Sequence, residues 1–155
     1  MSAALLSTFT VDGHLFGVEV TAVQEVIRYQ PMTRVPLAPA ALAGLINLRG
    51  QVITAVDLRR RLGFADRAAG ELPTDVIVRT NDGLVSLLVD RIGEVVEVDD
   101  EAFEEPPETL QGVGRELIRG AYQLDHALLL RLDVQGAVEL PPPAGGSGIV
   151  AATPM

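Results

Sequence analysis

Short apolar runs separated by turn residues make up most of the chain as far as Leu140. Asp12-Gly13 and Asp82-Gly83 each stand between two such runs, and Asp-Gly in this position is a strong signal for a β-hairpin. Arg49-Gly50 divides the stretch 44–63 in the same way. The pattern predicts a mainly β fold, with strands on both sides of Arg49-Gly50 and in segments 5–11, 15–20, 76–80, 84–89, 92–98, 117–124 and 127–132.

Short helices are predicted where two of these runs end. Asp57 and Asp133 each follow an apolar run and are placed to cap a helix with their side-chain oxygens. Segment 21–28 is ambiguous, because its apolar residues have helical spacing while its length also suits a third strand. The pattern leaves both interpretations open.

The same order of features occurs twice along the chain. STFTVDGHLFGVEVTAVQEVI resembles VIVRTNDGLVSLLVDRIGEVV, and LINLRGQVITAVDLRRRL resembles LIRGAYQLDHALLLRLDVQGAV, with Arg-Gly, an apolar strand, an Asp and a short helix. Two pseudo-equivalent β modules within residues 1–140 explain this repetition, with a boundary near residues 70–80, and their short strands favour small barrels. Residues 141–155 have linker composition and are predicted to be a flexible tail.

Composition excludes several functions. The 155 residues carry a net charge of −9, which argues against broad contact with nucleic-acid phosphates. The absence of cysteine excludes disulfides, thiolate metal ligands and a cysteine nucleophile. His14 and His126 lie near predicted turns and are expected to face solvent, and the acidic stretch 97–105 lacks the ligand spacing of a calcium loop. We expect no metal or cofactor site.

The chain also lacks signals for catalysis and export. No serine has a nucleophile-elbow motif, and no glycine-rich phosphate loop precedes a predicted helix. The N-terminus lacks the basic and apolar regions of a secretory signal, and no stretch reaches the ~18 apolar residues of a membrane span. These observations predict a soluble, cytoplasmic, non-catalytic protein without direct membrane insertion.

Three motifs resemble one protein family. NLRG at 47–50, VDLR at 56–59 and LLVDRIGEVVEV at 87–98 are similar to segments of the CheW-like domain family, which includes the chemotaxis coupling protein CheW and the regulatory domain of the histidine kinase CheA. The similarity in layout runs from about Ser7 to Leu140. It implies two SH3-like five-stranded β-barrel subdomains with short helices. One departure from the family is Thr54-Ala55, where the family commonly has Pro-Val. Thr54 has a backbone N–H that proline lacks, and this additional donor is expected to alter local strand pairing.

The resemblance implies an adaptor that links the cytoplasmic tips of chemoreceptors, the methyl-accepting chemotaxis proteins, to the CheA regulatory domain in membrane-associated signalling arrays. Two alternatives stay open: a coupling protein of a non-flagellar chemosensory pathway such as pilus motility or development, and a small-molecule-binding β-barrel. Neither the adaptor nor the first alternative requires a cofactor.

The resemblance also implies a receptor-binding site in the groove between the barrels. Transferred to this sequence, it comprises Val20, Val23, Val26 and Ile92, with Glu25 opposite Arg49 as a charge pair that shapes the receptor-facing surface. The spacing of the three valines alone fits one side of a helical turn, which is either core or an exposed docking stripe. Nothing in the residues themselves shows that Glu25 and Arg49 meet.

Overall fold

The computed structural model describes residues 3–106 and 112–140, which form ten strands and three short helices. The strands are β1 (Ala3–Val11), β2 (His14–Glu19), β3 (Val23–Ile27), β4 (Leu42–Leu48), β5 (Gln51–Asp57), β6 (Thr74–Thr80), β7 (Gly83–Val89), β8 (Arg91–Asp99), β9 (Ile118–Gln123) and β10 (Leu128–Leu132). The helices are α1 (Leu58–Arg61), α2 (Gly112–Glu116) and α3 (Val134–Val138), and a 3₁₀ turn at Val20–Ala22 connects β2 to β3. The predicted tail, residues 141–155, lies outside the described residues.

The strands form two five-stranded sheets, which confirms the predicted mainly β fold with two SH3-like subdomains. The first sheet has the order β8-β1-β2-β10-β9 and the second sheet has the order β3-β6-β7-β5-β4. Neighbouring strands are antiparallel except for β2 beside β10 and β5 beside β7. In both sheets, therefore, a hairpin lies between an antiparallel edge strand and a parallel neighbour.

The two sheets exchange their first hairpins. Strands β1–β5 of the first repeat correspond in order to β6–β10 of the second, because each strand has the same kind of neighbours as its counterpart. The first sheet combines β1 and β2 with β8, β9 and β10, whereas the second combines β3, β4 and β5 with β6 and β7. The second repeat begins with β6, and no single boundary along the chain separates the sheets, because each opening hairpin is hydrogen-bonded to the other repeat.

Among the described residues, neither sheet closes into a complete barrel through its two edge strands. The segment after β3 instead returns to the far edge, where Thr33 forms two hydrogen bonds of 2.8 Å with Leu45 of β4. The segment after β8 does the same through Glu104 and Ala121 of β9, at 2.7 and 2.8 Å. We call residues 28–36 the first strap and residues 100–106 the second strap. One bridge per strap holds each sheet curled.

A glycine lies beneath each strap, directly before the residue that makes the bridge. A Cβ on Gly44 would lie 2.8 Å from the carbonyl oxygen of Thr33, and a Cβ on Gly120 would lie 2.7 Å from the ring of Phe103. Gly120 is therefore the structural counterpart of Gly44. The two Arg-Gly dipeptides do not correspond, because Arg49-Gly50 forms a turn while Gly120 lies within β9.

Three apolar clusters form the core. The central cluster joins the sheets and contains Phe9 and Phe16 of the first sheet with Val76 and Leu87 of the second, all fully buried. The second sheet has its own cluster of five buried residues, Ile46, Ile53, Ala55, Ile77 and Leu88. The first sheet has a further cluster of Leu6, Val98, Tyr122 and Leu129. Complete burial of one side chain of this size contributes about 1.5–3 kcal/mol, so the central cluster is the main link between the sheets.

The consecutive arginines of α1 contact the protein itself. The carboxylate of Asp57 accepts a hydrogen bond from the Arg59 amide at 3.0 Å, so the predicted helix cap is present. Arg59 donates two side-chain hydrogen bonds to Asp90, which lies between β7 and β8. Arg61 donates to the carbonyl oxygens of Gly136 and Ala137 in α3. The Arg61 contacts join α1 and α3, the helices that end the two repeats.

Candidate functional site

Arg49 lies at the tip of the β4–β5 hairpin. Arg49 and Gly50 both have positive φ, 53° and 89°, as a two-residue type I′ turn requires. The side-chain oxygen of Asn47 accepts a hydrogen bond from the Gly50 amide at 2.8 Å. The turn therefore presents the Arg49 side chain away from the body of the hairpin, where it is 67% exposed.

The Arg49 guanidinium forms an ion pair with the carboxylate of Glu25. Glu25 belongs to β3, and β3 and β4 are opposite edges of the second sheet, so the pair spans the gap between the edges. The structure thus brings together the two charged residues that the resemblance pairs. An exposed pair of this kind contributes only ~0–1 kcal/mol, so it orients the hairpin more than it stabilises the fold.

Val23 and Val26 share one face of β3 because the strand contains a β-bulge. One extra residue lies between Val23 and Glu25 in the pairing with β6. Directly opposed residues share a face, and the β6 partners of both valines belong to the central cluster. The three-residue spacing therefore comes from a bulge, and the helical interpretation is wrong except for the 3₁₀ turn at Val20–Ala22.

β8 has the same arrangement. Ile92 and Val95 lie opposite β1 residues that are two positions apart, so β8 also contains an extra residue and presents both side chains to one face. The repeat aligns DRIGEVV with TAVQEVI, which makes Ile92 and Val95 the counterparts of Val23 and Val26. The two edge strands β3 and β8 thus carry equivalent apolar pairs on the faces that meet the central cluster.

The apolar pairs are largely accessible. Val26, Ile92 and Val95 are 42%, 41% and 57% exposed, whereas Val23 is partly buried and packs against the central cluster. Such a set of accessible apolar residues, carried on one edge strand of each sheet, is suited to binding a partner.

A cleft of about 370 Å³ lies between the start of β1 and the crossing from β2 to β3. It is lined by the 3₁₀ turn at Val20 and by Leu5 of β1, which is 53% exposed. Leu5 and Val95 are absent from the set that the sequence predicted. The internal repeat could have identified Val95 from its match to Val26, whereas Leu5 requires the pairing of β1 with β8.

Comparison with known proteins decides the family. The model of the CheW-like domain matches residues 6–141. The chain belongs to the CheW-like domain family. It is 32% identical over 133 residues to chemotaxis protein CheW of Treponema pallidum (strain Nichols), covering 83% of this chain and 78% of that protein. It is 28% identical over 130 residues to a probable chemotaxis protein CheW of Rhizobium etli, with 84% of each chain covered.

A solved structure agrees with this membership. The scaffolding protein TtCheW from Thermoanaerobacter tengcongensis superposes with a TM-score of 0.79 at 25% identity, covering 90% of this chain and 94% of that one. The CheW-like chain is therefore a chemotaxis coupling adaptor of a non-catalytic family, as the motifs predicted. This membership favours neither the small-molecule-binding barrel nor the non-flagellar pathway.

The other polar candidates form no further site. Across residues 3–106 and 112–140, no group of three or more His, Asp or Glu residues is arranged to hold a metal ion. His14 is exposed and stacks on Phe64 with ring centroids 4.9 Å apart. No helix in the described part of this CheW-like chain is long and apolar enough to cross a membrane.

Proposed function

We propose that this CheW-like chain couples the cytoplasmic tip of a chemoreceptor to the regulatory domain of the histidine kinase CheA, in the cytoplasm and within membrane receptor arrays. The receptor-binding residues are Val20, Val23, Val26, Ile92, Glu25 and Arg49. The observation that carries the proposal is the pair of bulged edge strands, β3 and β8, which present equivalent apolar residues on the faces that meet the central cluster.

An amphipathic helix is the partner that this surface fits best. Such a helix places apolar residues at three- and four-residue spacing into a groove. Val26 of β3, and Ile92 with Val95 of β8, supply accessible apolar contacts for it. Leu5 extends the apolar surface beside the Val20 turn. A receptor tip made of helices has this chemistry.

Arg49 and Glu25 act as an orienting pair at the edge of this surface. Their ion pair connects the tip of the β4–β5 hairpin to β3, the strand that carries Val26. Because the Arg49 guanidinium is mostly exposed, the pair is accessible to a bound helix. The role of the pair is to set the hairpin position, since its own contribution to stability is small.

Reconstitution tests both partners separately. The full chain is titrated with a chemoreceptor-tip fragment and, in a second experiment, with the CheA regulatory domain. The activity of full-length CheA is then measured with the receptor fragment, in the presence and absence of the chain. We expect binding to each partner and activation of the kinase only when all three proteins are present. Failure to bind the receptor fragment contradicts the receptor site, whereas failure to bind the kinase domain contradicts the coupling role. A ligand that stabilises the chain with no effect on either interaction would favour the small-molecule barrel.

A further inference from the structure

The chain crosses from the first sheet to the second through residues 19–23. Glu19 ends β2, the 3₁₀ turn follows, and Val23 begins β3. The crossing contains Val20 and leads directly into Val26, so its position determines where the β3 edge lies relative to the first sheet. No residue of the turn is fully buried, and packing alone therefore holds the crossing weakly.

One end of the crossing is held by Arg131 of β10. The Arg131 guanidinium forms an ion pair with the carboxylate of Glu19, and it also pairs with Asp100 and donates to the hydroxyl of Tyr122 at 3.1 Å. The Arg131 side chain is only 14% exposed although it contacts a 54% exposed carboxylate. Its other two partners hold the guanidinium in place, so Glu19 meets a donor that is already ordered.

The other end is held by Arg79 of β6. Its Nη1 donates to the carbonyl oxygen of Thr21 at 2.7 Å and to that of Val23 at 3.3 Å. These bonds are made to the backbone, so they fix the path of the crossing itself. Arg79 and Arg131 line the same cleft of about 460 Å³, together with Glu19 and Ala22.

The second crossing between the sheets, at Asp90, provides a comparison. Asp90 is paired with Arg59 and Arg67, whose side chains are 14% and 10% exposed. Both crossings are thus held by two arginines, but at the second crossing the carboxylate is mostly covered as well, with the Asp90 side chain 18% exposed. The first lies beside the proposed receptor surface and includes an exposed carboxylate, so its contacts can be removed with less damage to the core.

We propose that Arg79 and Arg131 are positioning residues for receptor binding, which set the β3 edge by holding the Glu19–Val23 crossing. This inference rests on the proposed function, because it assigns the two arginines to the receptor site described above. They act through the crossing and not by contact with the receptor. Loss of either arginine loosens the crossing, lets β3 move and weakens the receptor complex, while the kinase interaction is unchanged.

The experiment uses the full chain with a chemoreceptor-tip fragment and the CheA regulatory domain as probes. Arg79→Gln and Arg131→Gln are each expected to weaken receptor binding about tenfold, the effect of losing a charge-assisted hydrogen bond. Hydrogen exchange of the amides at 20–23 should become faster in both variants. Arg79→Lys, which keeps one donor, should recover part of the affinity.

A double-mutant cycle separates positioning from direct contact. If Arg131 acts through Glu19, then Glu19→Gln and the double variant Glu19→Gln/Arg131→Gln lose no more affinity than Arg131→Gln alone. Additive losses would instead indicate that each residue touches the receptor, and would overturn the positioning role.

Arg119→Gln is the matched control. Arg119 lines the same cleft, but its ion pair is with Asp133, the N-cap of α3, and not with a residue of the crossing. It should leave receptor binding and exchange at 20–23 unchanged, and an equal loss in this control would contradict the inference. If Arg131→Gln unfolds at a clearly lower temperature than the unaltered chain, Arg131→Lys is used in its place. If the unaltered chain does not bind the receptor fragment, the proposed function fails. If hydrogen exchange at 20–23 is unchanged in Arg79→Gln and Arg131→Gln, the positioning role of the two arginines is wrong whatever the binding result.

Discussion

Arg49 and Glu25 form an ion pair that joins the two opposite edges of one sheet. Arg49 lies on the turn after β4, and Glu25 lies within the bulged strand β3. The pair therefore connects the most recognisable motif of the chain, NLRG at 47–50, to the strand that presents Val26. The role of this exposed and energetically weak contact is therefore to set the position of the β4–β5 hairpin relative to β3.

Reversal of both charges tests that task. Arg49→Glu should weaken binding of the receptor-tip fragment at least tenfold, because two carboxylates then repel each other and displace the hairpin. The free energy of unfolding should change by only about 0–1 kcal/mol, as for other exposed pairs. The double variant Glu25→Arg/Arg49→Glu restores the pair and should recover most of the affinity. Isothermal titration calorimetry and urea unfolding measure the two quantities, and a double variant as weak as the single one would indicate direct contact of Arg49 with the receptor.

Val26 and Val23 provide a matched test of the apolar surface. Val26→Asp adds a charge at a position that is 42% exposed, so we expect a stability change within about 0.5 kcal/mol and a loss of receptor binding. Val23→Asp places the same charge against the central cluster and should cost roughly 2–4 kcal/mol of folding free energy. Thermal unfolding and receptor titration are measured for both. Normal receptor binding by Val26→Asp would remove β3 from the site.

The hairpins could be predicted because their signals are local. Asp12-Gly13 forms the predicted turn with positive φ at both residues, and the second hairpin turns at Asn81-Asp82, after which Gly83 begins β7 with positive φ. The bulge in β3 could not be predicted, because one extra residue gives a strand the three-residue apolar spacing of a helix. Local sequence does not distinguish the two, and only the pairing with β6 resolves them.

The exchange of hairpins between the two sheets also could not be predicted from the sequence. The repeat shows which strands are equivalent but not which of two identical partners each hairpin joins, since that depends on contacts between distant residues. Thr54 is a single residue at which the prediction from the sequence was wrong. It pairs regularly with Leu45 and Val85 on its two sides, so the expected disturbance from its additional donor is not present.

The candidate site also contains residues that the sequence could predict and residues that it could not. The family motif was sufficient to place Glu25 opposite Arg49. Arg79, in contrast, acts on backbone carbonyl oxygens, and a contact of that kind leaves no pattern in the side chains. Arg131 reaches Glu19 across most of the chain length, from the other repeat. Both arginines are visible only once the strands are assembled.

Gly44 and Gly120 should differ in their tolerance of a methyl group. Gly44→Ala collides with the backbone of the first strap, so the Thr33–Leu45 bridge must break or shift, at a cost of about 2–3 kcal/mol. Gly120→Ala meets the ring of Phe103, which is 54% exposed and can rotate away, so we expect less than about 1 kcal/mol. Urea unfolding measures both. Phe103→Ala should abolish the effect at Gly120, and a cost at Gly120 equal to that at Gly44 would contradict this account of the straps.

Asp75 should make the stability depend on pH. It is fully buried in β6, and its Oδ2 accepts a hydrogen bond from Ser86 at 2.8 Å, while Oδ1 has no hydrogen-bond partner within the described residues. Burial raises the pKa of Asp75, against the opposing effect of hydrogen bonds from Ser86 and the Gln30 backbone. The folded state therefore keeps a proton that the unfolded state has released, and stability falls as the pH rises from about 4 through the folded-state pKa.

Asp75→Asn removes this penalty. The variant should come closest to the unaltered chain below about pH 4, where the Asp75 carboxyl is neutral in both the folded and the unfolded state, and should become the more stable of the two as the pH rises above that. Asp66→Asn is the contrasting control, because the hydrogen bond from Arg60 lowers the pKa of Asp66 and its small contribution is lost as the pH falls. Urea unfolding from about pH 3 to about pH 8 measures both differences, because the Asp75 difference grows above about pH 4 and the Asp66 difference develops below it. A stability difference at Asp75 that does not vary with pH would mean that its carboxyl is charged throughout, and the raised pKa would then be wrong.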